Sequence, residues 1–204
     1  LNLLTNVLYW ISTGMLIPVI ILLLLAFGWS LVLLGDTYGA FAGRLKNRAP
    51  LNVLMEEIKK GSLCAMNFKQ ILKRKSLLRE HLLRMKAVDW HPVHGEKIIS
   101  DFELKLQRDL DGPTTLMRVG PMLGLMGTLI PMGPALVGLA AGDLEAMALN
   151  MRIAFSTTVV GIFVGAIGFV VQLIKKRWFK EDGETLQYIF DLACEEKSLE
   201  QETR

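Results

Sequence analysis

Two apolar stretches of this 204-residue chain that are also rich in glycine carry hydroxyl side chains: Thr128 in one, and the consecutive trio Ser156, Thr157 and Thr158 in the other. A lone hydroxyl in an apolar helix usually donates to a carbonyl one turn back. Its oxygen lone pairs can still solvate a cation. Consecutive helical residues stand about 100° apart, so three in a row cannot all meet one packed neighbour. Some of the trio are therefore expected to reach a second helix or water. No Asp, Glu or Lys stands at the centre of either stretch. The chemistry on offer is polar lining for a moving ion, without a proton-binding carboxylate.

Small residues accompany the hydroxyls. Gly120, Gly124, Gly127, Pro131 and Gly138 follow one another at spacings of 4, 3, 4 and 7, and Thr158, Gly161, Gly165 and Gly168 at 3, 4 and 3. Helices carrying such stripes approach closely in lipid. Two uses stay open, packing within one subunit or a surface turned to a central cavity. Arg152, with Asn150 beside it, stands at the outer mouth of the second stretch. It either snorkels to the interface or forms an electropositive collar that influences which ions enter. His91 and His94 form H-x-x-H, but Pro92 separates them and no second ligand pair accompanies Cys64, so no metal site and no cofactor are expected. No phosphate loop, nucleophile–base pair or paired catalytic carboxylates are visible, which argues against an enzyme.

The elements that must position these residues are helices in a membrane. Hydrophobic residues make up 51% of the chain, and they are concentrated rather than spread. Residues 1–35 contain no charged residue or histidine, and neither do 154–174. Met15–Leu34 is long enough to cross a bilayer at 1.5 Å per residue, with Pro18 expected to kink it. It is read as a retained anchor, not a cleaved signal. The second span is placed at Met117–Ala140 and the third at Ala154–Ile174. Residues 36–118 carry 16 Lys or Arg against 10 Asp or Glu, and Lys175, Lys176 and Arg177 close the third span. The positive-inside rule then puts the long middle segment and the tail in the cytoplasm and the N-terminus outside. Both cysteines, Cys64 and Cys194, are expected as free thiols there. The net charge of +3 is too small for a nucleic-acid groove.

The middle segment has helical periodicity. Ile71, Leu78, Leu82 and Met85 share one face, as do Ile99, Phe102 and Leu106. Residues 87–96 read as a turn, and His81 as a partly exposed helix residue. Lys59, Lys60 and Lys73-Arg74-Lys75 read as a solvated face. Asp111-Gly112-Pro113 predicts a helix start leading into span two. After Asp182-Gly183, a last short helix is marked by Leu186, Ile189, Phe190 and Ala193. The fold class is an all-α integral membrane protein. Its organisation is a first span with an outer N-terminal segment (1–35), a cytoplasmic helical domain (36–112), a two-span channel region (113–174) and a cytoplasmic C-terminal helix (175–204).

The stretch Gly120-Pro121-Met122-Leu123-Gly124-Leu125-Met126-Gly127-Thr128 resembles the A-P-x-x-G-L-x-G-T signature of the MotA/TolQ/ExbB family of ion-channel subunits. The three-span layout is more similar to TolQ and ExbB than to four-span MotA. The resemblance implies a homopentamer in the cytoplasmic (inner) membrane, with spans two and three around a central pore. That pore would hold the single-span helices of a dimeric ExbD/TolR/MotB-like partner bearing the ion-binding aspartate. Flow of protons or sodium ions would become mechanical work, as in a stator. The family's pore threonines fall on Thr128 and Thr158, with Ser156 and Thr157 in support. Gly120, Pro121, Gly124, Gly127, Gly161, Gly165 and Gly168 would form the packing or pore seam. The chain departs from TolQ and ExbB where they carry a glutamate, having Ile153 there, and it has Ile130-Pro131 where many members have Trp-Gly. The reading from another class is a non-conducting membrane scaffold whose cytoplasmic helices recruit other proteins.

Overall fold

A computed structural model of the chain describes residues 2–46 and 77–202. These residues are helical almost throughout: α1 (Asn2–Gly14), α2 (Leu16–Lys46), α3 (Leu77–Ala87), α4 (Pro92–Ala140) and α5 (Leu144–Glu202). Three of them, α2, α4 and α5, are long and apolar enough to cross a membrane, with best-window mean hydropathies of 2.7, 1.6 and 2.2. The protein is thus an all-α, multi-pass membrane protein. Ile71, Cys64 and the lysine-rich positions 59, 60 and 73–75 lie outside the described residues.

The break between α1 and α2 follows from Pro18. Its ring has no N–H and crowds the carbonyl of the residue four back. That residue is Gly14, where α1 ends. Between α4 and α5 the chain reverses in three residues. The Gly142 N–H donates to the Leu139 carbonyl (3.1 Å) and the Asp143 N–H to the Gly138 carbonyl (2.9 Å). These are the paired bonds of a Schellman C-terminus. Gly142 occupies the left-handed position at φ 76°, and a side chain there would be strained. Asp143 then caps α5, its Oδ1 accepting from the Ala146 N–H at 2.9 Å.

The described residues divide into two compact units, 2–37 with 111–173, and 38–46 and 77–110 with 174–202. The first holds the apolar spans. In it, Val19 and Leu23 of α2 pack with Leu123, Ile130 and Val160, and the Phe27 and Phe163 rings lie 6.0 Å apart.

The second unit has its own core. Leu78, Leu82 and Met85 of α3, Trp90 of the turn that follows it, Phe102 and Leu106 of α4, and Leu186, Ile189, Phe190 and Ala193 of α5 form one buried cluster. Gly95 gives the Phe190 ring its place, since a Cβ there would fall 2.0 Å from Cε2. The turn after α3 is a second Schellman motif, with the Trp90 N–H donating to the Met85 carbonyl and Asp89 to Lys86, each at 3.2 Å. Its left-handed residue is Asp89 (φ 53°) where glycine is usual. The Lys197 ammonium secures it by donating to both the carboxylate and the carbonyl of Asp89. Cys194 is a free thiol whose Sγ–H points to the Trp90 carbonyl at 3.7 Å. Burial, with Asp191 nearby, pushes that thiol above its ordinary pKa.

Also in this unit, Arg44 donates to both Asp182 carboxylate oxygens and to the Trp178 carbonyl. Its guanidinium lies 5.2 Å from the Trp178 ring centroid, and that ring stacks on Phe41. Burial raises the Asp182 pKa, and the Arg44 guanidinium counters this without cancelling it.

Four expectations need correction. No helix starts at Pro113, because α4 runs unbroken from Pro92. Proline costs one backbone bond, and neighbours offset it here. Thr115 Oγ1 donates to the Asp111 carbonyl at 2.7 Å, and Gly112 admits Trp29, whose Cζ2 would lie 3.4 Å from a Cβ at that position. The C-terminal helix is neither short nor separate, since α5 continues through Asp182-Gly183 to Glu202. One helical glycine costs only about 1 kcal/mol, and the i,i+4 pairs Arg177–Glu181 and Lys180–Glu184 bracket it. The turn expected at 87–96 shrinks to 88–91, with Pro92 opening α4 at the position where its missing N–H costs nothing. His81 is buried at 2% exposure, its ring edge-on to Phe102 at 5.0 Å.

Candidate functional site

The spans of α4 and α5 meet backbone to backbone. A Cβ built on Gly161 would lie 2.6 Å from Gly124 Cα and 2.7 Å from the Gly120 carbonyl. One on Gly120 would lie 2.9 Å from the Gly165 nitrogen, and one on Gly168 2.6 Å from the Met117 nitrogen. At Gly165 the obstacle is the Pro121 ring, with Cγ at 2.7 Å. The partners pair in antiparallel register: 117 with 168, 120 with 165, 124 with 161, 127 with 157. All six glycines of the two stripes that enter this seam are buried. Of the two uses open in the sequence, the stripes serve packing between two helices of one chain. Gly138 belongs to the reversal instead, beside the Asp143 carbonyl (3.2 Å).

The three consecutive hydroxyls go three ways. Thr157 is 7% exposed and sits in the seam, where its Cβ and Oγ1 would each lie 2.6 Å from a Cβ on Gly127. Ser156 is exposed and lines a cleft towards α2 with Ile20, Leu23 and Leu24. Thr158 is half-buried, on the opposite side of α5 from Ser156, since two residues turn the helix through about 200°. Thr157 thus reaches a second helix, packing against Gly127 of α4, and Ser156 is exposed in the cleft beside α2, but each of the three donates its proton within α5. Ser156 donates to the Arg152 carbonyl (2.8 Å), Thr157 to Ala154 (2.9 Å) and Thr158 to Ala154 (3.1 Å). Thr128 behaves alike, donating to Leu125 at 2.7 Å. In an apolar surrounding the nearest carbonyl is the cheapest acceptor for the proton. Each oxygen keeps lone pairs not used in donating.

Thr128 and Thr158 share a location. Among the described residues, those on the α2 side include Gly112, Leu123 and Ile130 on α4 and Val160 and Phe163 on α5. They lie on one flank of the glycine seam. Turning each helix by about 100° per residue puts Thr128 and Thr158 on the other flank. The pairing of Gly127 with Thr157 sets them at the same height. The uncovered flank around them is apolar, with Leu125, Leu129 and Leu136 on α4 and Phe155, Ile162 and Phe169 on α5 all exposed.

A family model described as the MotA/TolQ/ExbB proton channel family matches residues 72–186, more than half of the chain. The chain belongs to this family. The matched region contains the whole α4–α5 seam and both threonines. Among individually curated proteins none matches the chain.

Membership in the MotA/TolQ/ExbB family gives the signature stretch a physical reading. Gly120, Gly124 and Gly127 let α5 reach the α4 backbone, Pro121 fills the space above Gly165, and Thr128 is the first polar side chain beyond the contact. Asn150 Nδ2 donates within its own helix to the Ala146 carbonyl at 2.8 Å. Arg152 lines the cleft against α2 together with Ser156, on a different face of α5 from Thr158. His91 and His94 are both exposed, with ring centroids 5.3 Å apart.

Two buried hydroxyls of α2 were not singled out from sequence. Ser30 donates to Phe27 (2.7 Å) and Thr37 to Leu33 (2.8 Å). Together with Val19 and Leu23 they make the buried stripe of α2, at spacings of 4, 7 and 7. That spacing was the available signal, obscured by apolar residues on every face of the helix.

Proposed function

We propose that this protein is the pore-forming subunit of an ion-driven motor or energiser complex. Five copies surround a central pore in the cytoplasmic membrane, with the N-terminus outside and the C-terminus in the cytoplasm. A dimer of a single-span, ExbD/TolR/MotB-like partner occupies the pore and carries the ion-binding aspartate. Protons or sodium ions pass along the partner, and their descent is converted into movement of one component against the other.

The observation that carries this reading is the placement of Thr128 and Thr158 at one height on the flank that α2 leaves uncovered. Both give their protons to their own helix, so what they offer a passing ion is oxygen lone pairs. Repeated around a ring, these form a collar of acceptors that solvates a cation without holding it. Ser156 and Thr157 leave the ion-pathway set, because one faces the α2 cleft and the other fills the seam. A charge at the centre of a membrane helix costs about 2.5–3.5 kcal/mol on insertion scales. One acidic group on the partner, neutralised by its ion, avoids repeating that cost in every copy of the ring.

The test is purification in mild detergent, with native mass measurement of the intact particle. The expected result is five copies of this chain with a co-purifying single-span protein that has one membrane aspartate. A lone protomer with no such companion would overturn the reading and favour the scaffold.

A further inference from the structure

The cleft between α2 and α5 has a volume of about 290 Å³ and is lined by Ile20, Leu23, Leu24, Ile153 and Val160, with Arg152, Ser156 and the edge of the largely buried Thr157 as its polar members. The guanidinium of Arg152 is exposed and has no acidic partner among the described residues. Its height in the bilayer follows from the sequence. The uncharged run 154–174 measures about 31 Å as a helix, one hydrocarbon thickness. Arg152 stands just beyond one end of that run, and Lys175 just beyond the other. An unpaired guanidinium at headgroup level, above an apolar slot that opens along the membrane, matches one class of ligand in both charge and shape.

We propose that this cleft seats one phospholipid per protomer, its phosphate on Arg152 and one acyl chain lying along Leu23, Leu24, Ile153 and Val160. The planar guanidinium pairs with phosphate oxygens through two parallel N–H donors. The Ser156 hydroxyl donates to the Arg152 carbonyl (2.8 Å) and leaves its oxygen facing the slot. The apolar walls come from two different helices, so the seated lipid acts as a third packing element between α2 and α5. This inference rests only on the chain's spanning a membrane and does not depend on ion conduction.

The experiment measures phospholipid retained by the full chain after purification and exchange into a lipid-free detergent, by phosphorus assay and by native mass spectrometry. The wild type is expected to keep about one phospholipid per protomer. Arg152→Gln should lower that retention about tenfold, the loss that follows removal of a charge-assisted bond. Leu24→Trp, at an exposed position on the opposite wall, should fill the slot and expel lipid while the arginine stays in place. Helical content and melting temperature serve as the folding control for both variants. Inorganic phosphate at millimolar concentration should not displace the lipid, because it lacks the acyl chain. Equal retention in wild type and Arg152→Gln, or no retained lipid in the wild type, would overturn the proposal. A Leu24→Cys variant that forms disulfide-linked pairs of this chain would overturn it too, by showing a second copy in the slot.

Discussion

Gly127 of α4 stands against Thr157 of α5 so closely that a Cβ on the glycine would lie 2.6 Å from both Cβ and Oγ1 of the threonine. This contact closes the last rung of the α4–α5 seam and sets the height of the residues beside it. Thr128 and Thr158 follow by one residue on each helix, on the flank away from α2. The packing residue and the candidate ion-pathway residue are neighbours in sequence but point to different surroundings.

The Gly127–Thr157 contact predicts a compensating pair. Gly127→Ala should destabilise the protein by about 2 kcal/mol, since something must shift to admit the new methyl. Thr157→Gly should destabilise it separately. The double variant should recover part of the loss, with a coupling of about 1–2 kcal/mol. Thermal unfolding in detergent measures the cycle. Gly28 has nothing within 4 Å of a Cβ, so Gly28→Ala should be neutral or stabilising by up to about 1 kcal/mol.

Thr158→Val and Thr128→Val should abolish driven function while leaving assembly intact. Each hydroxyl bonds only to its own helix, so a methyl in its place removes an ion acceptor without breaking a contact between helices. Ion flux in reconstituted vesicles, beside native mass of the purified particle, checks both halves of the expectation. Full activity in Thr158→Val would sink the ion-pathway assignment.

The Arg44–Asp182 pair predicts a pH signature. Burial holds the Asp182 carboxyl above its ordinary pKa, so the folded state keeps its proton where the unfolded state has lost it. Its contribution to stability is therefore fully present below the ordinary value of 3.8 and declines as pH rises through the raised one. Asp182→Asn should flatten that decline in melts recorded across the acidic range. Arg44→Met leaves the carboxyl without its donor and should cost ~2 kcal/mol at neutral pH, less than for a fully buried pair because both side chains keep some water contact.

The reversal between α4 and α5 predicts two small, separable losses. Gly142→Ala places a side chain at φ 76° and should cost about 1–2 kcal/mol. Asp143→Ala removes the cap on Ala146 and should cost about 1 kcal/mol. Asp143→Asn keeps an acceptor in place and should restore most of that. Unfolding midpoints of the three variants check the order.

Much of this architecture was legible in the residues themselves. The uncharged runs mark the spans, and the spacings of Leu82, Met85, Phe102 and Ile189 mark the faces that meet in the second core. The glycine stripes announce close helix contact. Helix ends were less legible. Pro113 and Gly183 carry strong local signals for a boundary, and both were overridden by tertiary partners: Trp29 against Gly112, and the charged pairs around Gly183. His81 looked half-exposed because an amphipathic pattern gives a stripe but not its width.

The sequence by itself determined the membrane-spanning, all-α character, because an uninterrupted apolar helix has no other solvent. Its glycine stripes announced a close approach in lipid, but that α4 and α5 meet each other along them was decided by the tertiary structure. Only the tertiary structure decided which side of the pair α2 would cover. That choice assigns Ser156 and Arg152 to a cleft, Thr157 to the seam, and Thr128 with Thr158 to the open flank. The reason is geometric: a helix fixes the angles between its own residues, but the direction each one faces depends on where the neighbouring helices lie.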